Sequence, residues 1–202
     1  MIKAVFFDFY NTLISFDPPR EELQAAACHE FGIEVDRKAI PRGYWFADDF
    51  MSRENARSPI HKRSQADEQA FWSDYEGIIL REAGVDISKE LALRIFTRAR
   101  QLDRRLVLFD EALPAIRTLR GRGIVLGLVS NLSRALDGHV KDLGLTAYID
   151  FALTSSEIGA EKPHPPIFLA ALNRAAVDAS EAIHVGDQYH SDVLGAKGVG
   201  IN

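Results

Sequence analysis

Short apolar runs without helical period alternate with amphipathic segments along much of this chain, and that alternation restricts the fold more than any other feature. Ile2 to Phe9 is the first such run and reads as a buried parallel strand. After Leu106 the pattern recurs: a helix over Leu113 to Arg120, a buried strand over Ile124 to Val129, a helix over Leu132 to Leu143 and a short strand over Phe151 to Leu153. A helix over Ile167 to Ala176, a strand over Ala182 to Val185 and the start of a last helix at Val193 to Lys197 follow. This succession predicts an α/β fold, a doubly wound, Rossmann-like parallel sheet with helices on both faces. Gly198-Val199-Gly200-Ile201-Asn202 reads as the approach to one more strand.

A block of different character interrupts the alternation after the first strand. Leu23, Ala26, Ala27 and Phe31 recur at helical spacing, and so do Phe71, Trp72, Tyr75, Ile78 and Ile79 behind a Ser64-x-x-Asp67 cap. Leu91, Ile95 and Ala99 mark another helix with Ser88 as its N-cap, and 37–52 is a further helical stretch whose start is blurred by Pro41. The expected organisation is an α/β core from 1–16 and 106–202, with 17–105 inserted as an all-helical cap subdomain.

The chain has 202 residues, 47% of them hydrophobic and 26% charged, which suits a globular protein with a core and a satellite subdomain. A formal net charge of −5 and the lack of a Lys/Arg stripe argue against nucleic acid as a partner. No apolar run approaches the roughly 20 residues that span a bilayer, and MIKAVFFDF meets an acid too early for a signal peptide. The single cysteine, Cys28, cannot form an internal disulfide and fits a reducing compartment, so the cytoplasm is the expected location. Oligomeric state is left open, with a monomer as the default.

Open parallel sheets bind ligands beyond the carboxyl ends of their strands. Asp8 ends the first strand; Ser130 and Asn131 end IVLGLVSN; Lys162 lies in the loop EIGAEKPHPP; Asp187 and Asp192 follow AIHV. Each alone has a plain structural use: Asp8 in an Asx-turn, Ser130-Asn131 as an N-cap, Lys162 as a solvated loop lysine, Gly186-Asp187 as a turn pair, Asp192 as a helix-start acid. Their joint placement, each directly after a strand, points instead to one shared site.

The segments FFDFYNTL, LVSN, EKPHPPIF and HVGDQYHSDVLGAKGVG resemble the four motifs of the haloacid dehalogenase-like (HAD) hydrolase superfamily, in their usual order, and look closest to its phosphatase-like branch with helical caps. The resemblance covers roughly 1–17 and 106–202, and the insert is similar to that family's cap. It implies Asp8 as nucleophile, attacking phosphorus and forming an aspartyl-phosphate. It implies Mg²⁺ held by Asp8, the carbonyl of Tyr10, Asp187 and Asp192, a set of oxygen donors suited to that ion. It further implies that Thr12, Ser130, Asn131 and Lys162 contact the substrate, a small phosphorylated metabolite, with Ser130 and Lys162 holding its phosphoryl oxygens.

Tyr10 departs from the pattern. The phosphatase motif is D-x-D-x-T, whose second Asp protonates the leaving group, whereas this chain reads D-F-Y-N-T. A phenol with an ordinary pKa near 10 is a poor base at neutral pH. D-x-Y-x-T resembles the metal-free haloacid dehalogenases of the same superfamily, while the acids of GDQYHSD resemble the metal-dependent branch. Three readings stay open: a Mg²⁺-dependent phosphoryl hydrolase, which the two retained acids favour; a metal-independent dehalogenase; and a degenerate member that binds a phosphorylated ligand without turnover. In the insert, Tyr44, Trp45, Phe46 and Phe50 read first as packing and second as a pocket lining, and Arg53, Arg57, His61, Lys62 and Arg63 as a solvated basic stretch. His164 and His190 fall near the site loops.

Overall fold

A computed structural model describes residues 1–132 and 136–202, apart from the side chain of His61. In chain order the elements begin with β1 (Ala4–Phe7), β2 (Ile14–Asp17), α1 (Arg20–Glu30), α2 (Ile40–Arg57), α3 (Gln65–Glu82), α4 (Lys89–Gln101) and β3 (Arg105–Leu108). They continue with α5 (Ala112–Gly121), β4 (Val125–Ser130), α6 (Asp137–Asp142), β5 (Phe151–Thr154), α7 (Ser155–Ile158), α8 (Pro165–Ala175), β6 (Ala182–Val185) and α9 (Gly195–Gly198). Two compact units result, Met1–Ser15 with Leu106–Asn202, and Phe16–Arg105.

The first unit is built on a parallel sheet of order β5-β4-β1-β6. β1 lies inside it, with Phe7 opposite Leu128 on one side and Val185 on the other. Alternation along this strand feeds two cores. Val5, Phe7 and Phe9 pack with Ile116, Leu126, Leu128 and Val140 on one face. Ala4 and Phe6 pack with Val129, Leu153, Ile167 and Phe168 on the other. Each fully buried Phe or Leu contributes on the order of 1.5–3 kcal/mol, so a strand apolar on both faces is held firmly where it ends. Gly127 admits no side chain, because a Cβ there would lie 2.4 Å from the ring of Phe151 on the neighbouring strand.

The structure departs from the sequence expectations in particular places. β2 and β3 pair as a separate two-stranded ribbon that the short ISFD and RLVL segments do not announce. The helix expected over 37–52 runs from Ile40 to Arg57 with Pro41 in its first turn, where a missing N–H costs nothing. The helix expected from Leu132 appears as α6, and 133–135 lie outside the described residues. Where a further strand was expected the described residues form none, but the backbone of Asn202 bonds to β6: the amide of His184 donates to the carbonyl of Asn202 (3.1 Å), and the amide of Asn202 to the carbonyl of Ala182 (3.3 Å).

In the second unit the caps form as the sequence suggests. Ser64 Oγ accepts from the amide of Asp67 and Ser88 Oγ from that of Leu91, both at 3.2 Å. Phe50 stacks on Phe71 at 5.3 Å, whereas Trp45 is 66% exposed. Within the basic stretch Arg53 pairs with Asp49, and Arg57 and Arg63 share Glu54. Beneath these surfaces runs a buried polar network. Arg20 donates to Asp48 Oδ2 and Tyr75 to Asp48 Oδ1, each at 2.7 Å, Tyr44 donates to Gln24 (3.0 Å), and the Gln24 amide donates to Glu76.

Burial pushes the Glu76 carboxyl up to about 8, and the hydrogen bond from Gln24 offsets this only in part. The folded state therefore holds a proton that the unfolded chain releases near the ordinary carboxylate range, and stability falls as pH rises from about 4.5 to 8. The span corresponds to a few kcal/mol on the order-of-magnitude scale of 1.36 kcal/mol per unit. Glu76→Gln keeps a carbonyl for Gln24 and does not titrate; its melting temperature should exceed that of the wild type at pH 8.5 and match it near pH 4.5, as measured by thermal melts across that range.

Candidate active site

The site is assembled by strand ends. Asp8 leaves β1 with its amide still in the ladder, donating to the carbonyl of Val185 (2.8 Å). The chain then closes on itself, with Asn11 in the left-handed region (φ 56°), which Asn tolerates. Its amide donates to the carbonyl of Ile14 (2.8 Å), while the amides of Leu13 and Ile14 return to the carbonyl of Phe9. This turn holds Tyr10 against the core, edge-on to Phe9 at 5.6 Å. It also leaves Thr12 Oγ1 buried with no hydrogen-bond partner among the described residues. Ser130, 3% exposed, ends β4, the strand beside β1.

Lys162 is the centre of the arrangement. Its Nζ lies 2.6 Å from Asp8 Oδ1 and 2.7 Å from Asp192 Oδ1, and the residue is 3% exposed. Asn131 holds the lysine's backbone from both sides: its Nδ2 donates to the Lys162 carbonyl (2.9 Å), and its Oδ1 accepts from the Lys162 amide (2.7 Å). Of the residues expected to contact a substrate, Asn131 thus has its amide engaged with the lysine that Asp8 needs.

The fourth segment folds by an uncommon local device. A π-helical turn over Tyr189–Leu194 carries Asp192 back onto Gly186; such widened turns concentrate at functional sites. A Cβ on Gly186 would lie 2.2 Å from Asp192 Cγ, so only glycine leaves room for the acid. The Gln188 amide donates to Asp192 Oδ2 (3.0 Å). Asp187 is exposed, and one carboxylate oxygen each from Asp8, Asp187 and Asp192 lies within 4.8 Å of the other two.

His184 escapes a motif-based reading of the sequence. Its Nε2 lies 2.8 Å from Asp192 Oδ1, and its side chain is 1% exposed. The signal that finds it is alternation: in AIHV, position 184 shares the inward face with Ala182, an odd place for an imidazole three residues before Asp187. His164, by contrast, is an exposed cap residue of α8, and His190 keeps a buried Nδ1 with no partner among the described residues.

The charges are strongly interdependent. Burial would raise Asp192, but Lys162 and His184 outweigh it and hold its carboxyl well below the usual range. Burial pushes Asp8 up, more than Lys162 pulls it back, and Asp192 adds to the rise. Lys162 loses solvation yet is raised, because two carboxylates face it. Burial lowers His184, keeping the ring neutral near pH 7.

With that geometry in view, likeness to known proteins becomes informative. The profile of the haloacid dehalogenase-like hydrolase family matches residues 2–200, and the chain belongs to that family. The human haloacid dehalogenase-like hydrolase domain-containing protein 3 is 30% identical over 207 residues, spanning 100% of this chain and 80% of that protein. A ribulose-1,5-bisphosphate 5-phosphatase of Halopiger xanaduensis is 28% identical over 205 residues, spanning 100% of this chain and 83% of its own. Among solved structures, a 2-haloacid dehalogenase from Pseudomonas syringae pv. Tomato superposes with a TM-score of 0.54 at 29% identity, covering 100% of this chain and 84% of the other. No helix among the described residues is long and apolar enough to cross a membrane.

Replacing Lys162 by Met leaves Asp8 and Asp192 facing each other without a cation. Loss of one partner from a buried ion pair costs about 3–5 kcal/mol. Urea unfolding of Lys162→Met should show a loss of that order at pH 8 and a smaller one at pH 4, where the orphaned acids take up protons.

Proposed function

We propose that this chain is a divalent-cation-dependent phosphatase, with Mg²⁺ as the metal, a small phosphorylated metabolite as substrate and Asp8 as nucleophile. One observation carries the reading: three carboxylate oxygens lie within 4.8 Å of one another at the sheet edge, with Lys162 bonded to two of those acids. The three acids converge on one point, as the donors of a divalent cation do. All of these donors are oxygens, as Mg²⁺ prefers. Asp8, Asp187 and Asp192 would hold the ion together with the carbonyl of Tyr10. When bound, the cation supplies positive charge that favours the ionised form of Asp8 and offsets charge on the transferring group.

The chain's own residues then do the following. Asp8 attacks phosphorus through one carboxylate oxygen as the bond from phosphorus to the ester oxygen breaks; the alcohol leaves with a proton from solvent, and water then cleaves the aspartyl-phosphate to inorganic phosphate and free Asp8. Lys162 screens Asp8 from an anionic substrate and, with Ser130 and the Thr12 hydroxyl, which has no partner among the described residues, receives phosphoryl oxygens. Asn131 keeps the lysine in place through its backbone. A relative named as a phosphatase supports this reaction class. Cys28 is buried with its thiol pushed up to about 11, an inert sulfur that suits the reducing cytoplasm proposed as its location, and a monomer is proposed with it.

Tyr10 favours a second reading, halide displacement from a short haloacid, where the leaving group needs no proton; a 2-haloacid dehalogenase is among the similar structures. The two separate cleanly. Phosphate release from a panel of phosphate esters should require Mg²⁺, stop with EDTA and fall by roughly 10³-fold or more in Asp8→Asn. Halide release that persists in EDTA, with no phosphate released from any ester, would replace the first reading by the second.

Tyr10 also shapes the kinetics expected of a phosphatase. Without a strong general acid, rates should depend steeply on leaving-group pKa across a series of aryl and alkyl phosphates. Tyr10→Asp should flatten that slope and raise turnover of the poorest leaving groups by about 10²-fold or more.

A further inference from the structure

Asp192 accepts more hydrogen bonds than a simple metal ligand requires. Its Oδ1 receives Lys162 Nζ at 2.7 Å and faces His184 Nε2 at 2.8 Å, and its Oδ2 receives the Gln188 amide at 3.0 Å. The lysine is shared with Asp8, so it cannot by itself settle where Asp192 lies. His184 makes no such division. Its Nδ1 has no partner among the described residues, and its Nε2 faces Asp192. Because a carboxylate accepts and does not donate, the ring carries its proton on Nε2.

The surroundings argue that this bond is the reason for an imidazole here. The ring lies edge-on to Phe168, centroids 5.2 Å apart at 89°, in a packing that a phenyl group would satisfy equally. A buried, unpartnered Nδ1 carries a desolvation cost that a phenyl ring would avoid. What imidazole adds is the Nε2–H aimed at Asp192. Phe168 is itself held: a Cβ on Gly195 would lie 2.6 Å from its ring. A continuous line of contacts therefore runs from Gly195 through Phe168 and His184 to Asp192, and the missing Cβ of Gly186 opens the space into which the acid is pushed.

We propose that His184 is a positioning residue of this site, fixing the orientation of the Asp192 carboxylate and thereby setting the affinity for the divalent cation. The inference rests on the metal-dependent reading above. Outer groups of this kind change metal affinity by about 10–100-fold when lost. His184→Phe keeps the ring and its contact with Phe168 but removes the donor; His184→Gln carries an amide N–H able to reach Asp192.

The experiment measures binding of Mn²⁺ alone by electron paramagnetic resonance, and of Mg²⁺ alone by calorimetry, for the wild type and both variants, with thermal melts alongside. His184→Phe should weaken both ions by about 10–100-fold, and His184→Gln should regain most of that loss while the melting temperatures stay close. Wild-type affinity in a folded His184→Phe protein overturns the inference while the metal reading stands. Equal impairment of both variants in step with lowered melting temperatures also overturns it, in favour of a role in packing. A wild-type protein that binds neither ion removes the metal reading itself and the inference with it.

Discussion

One buried ammonium between two carboxylates governs the edge of the sheet where the candidate site lies. Lys162 is brought there from 154 residues along the chain to meet Asp8, and neither Asp8 nor Asp192 would tolerate its low-dielectric position without a cation close by. The surrounding structure serves that contact. Asn131 ties down the lysine's backbone, the Val185 carbonyl keeps Asp8 in the ladder, and the π-helical turn returns Asp192 to within reach. Asp187 joins them, so that one carboxylate oxygen from each of three acids lies within 4.8 Å of the other two.

Much of this is legible in the sequence. Apolar runs with period two or none, alternating with helical stretches, define the parallel sheet because both faces of such strands must be buried. The rule that ligands gather beyond strand carboxyl ends then converts Asp8, Lys162, Asp187 and Asp192 from scattered residues into neighbours. The helical insert was equally readable, since Ser64 and Ser88 announce helix starts by a local hydrogen bond that needs no tertiary context.

What remained hidden depends on contacts between distant residues. The β2–β3 ribbon consists of two four-residue segments, too short to show a pattern, that are stable only when paired. The engagement of Asn131 with Lys162, the ring of His184 and the network joining Arg20, Asp48, Tyr75, Gln24 and Glu76 are side-chain geometries with no periodic trace. Tyr10 is the opposite case. Its identity is plain in the sequence and its ring is placed by the fold, yet its meaning lies in reactivity, where a phenol and a carboxylate differ by their affinity for a proton.

The interlocking of Gly186 with Asp192 has a consequence for how such a site can diversify. A side chain at 186 and a carboxylate at 192 compete for one volume, since the added carbon would fall 2.2 Å from the acid's own. The two positions are therefore not independent letters: a change at either alters which residues are permissible at the other, and their effects should not add. A side chain can enter at 186 only once the residue at 192 has given up that volume, so the order in which the two positions change is itself constrained.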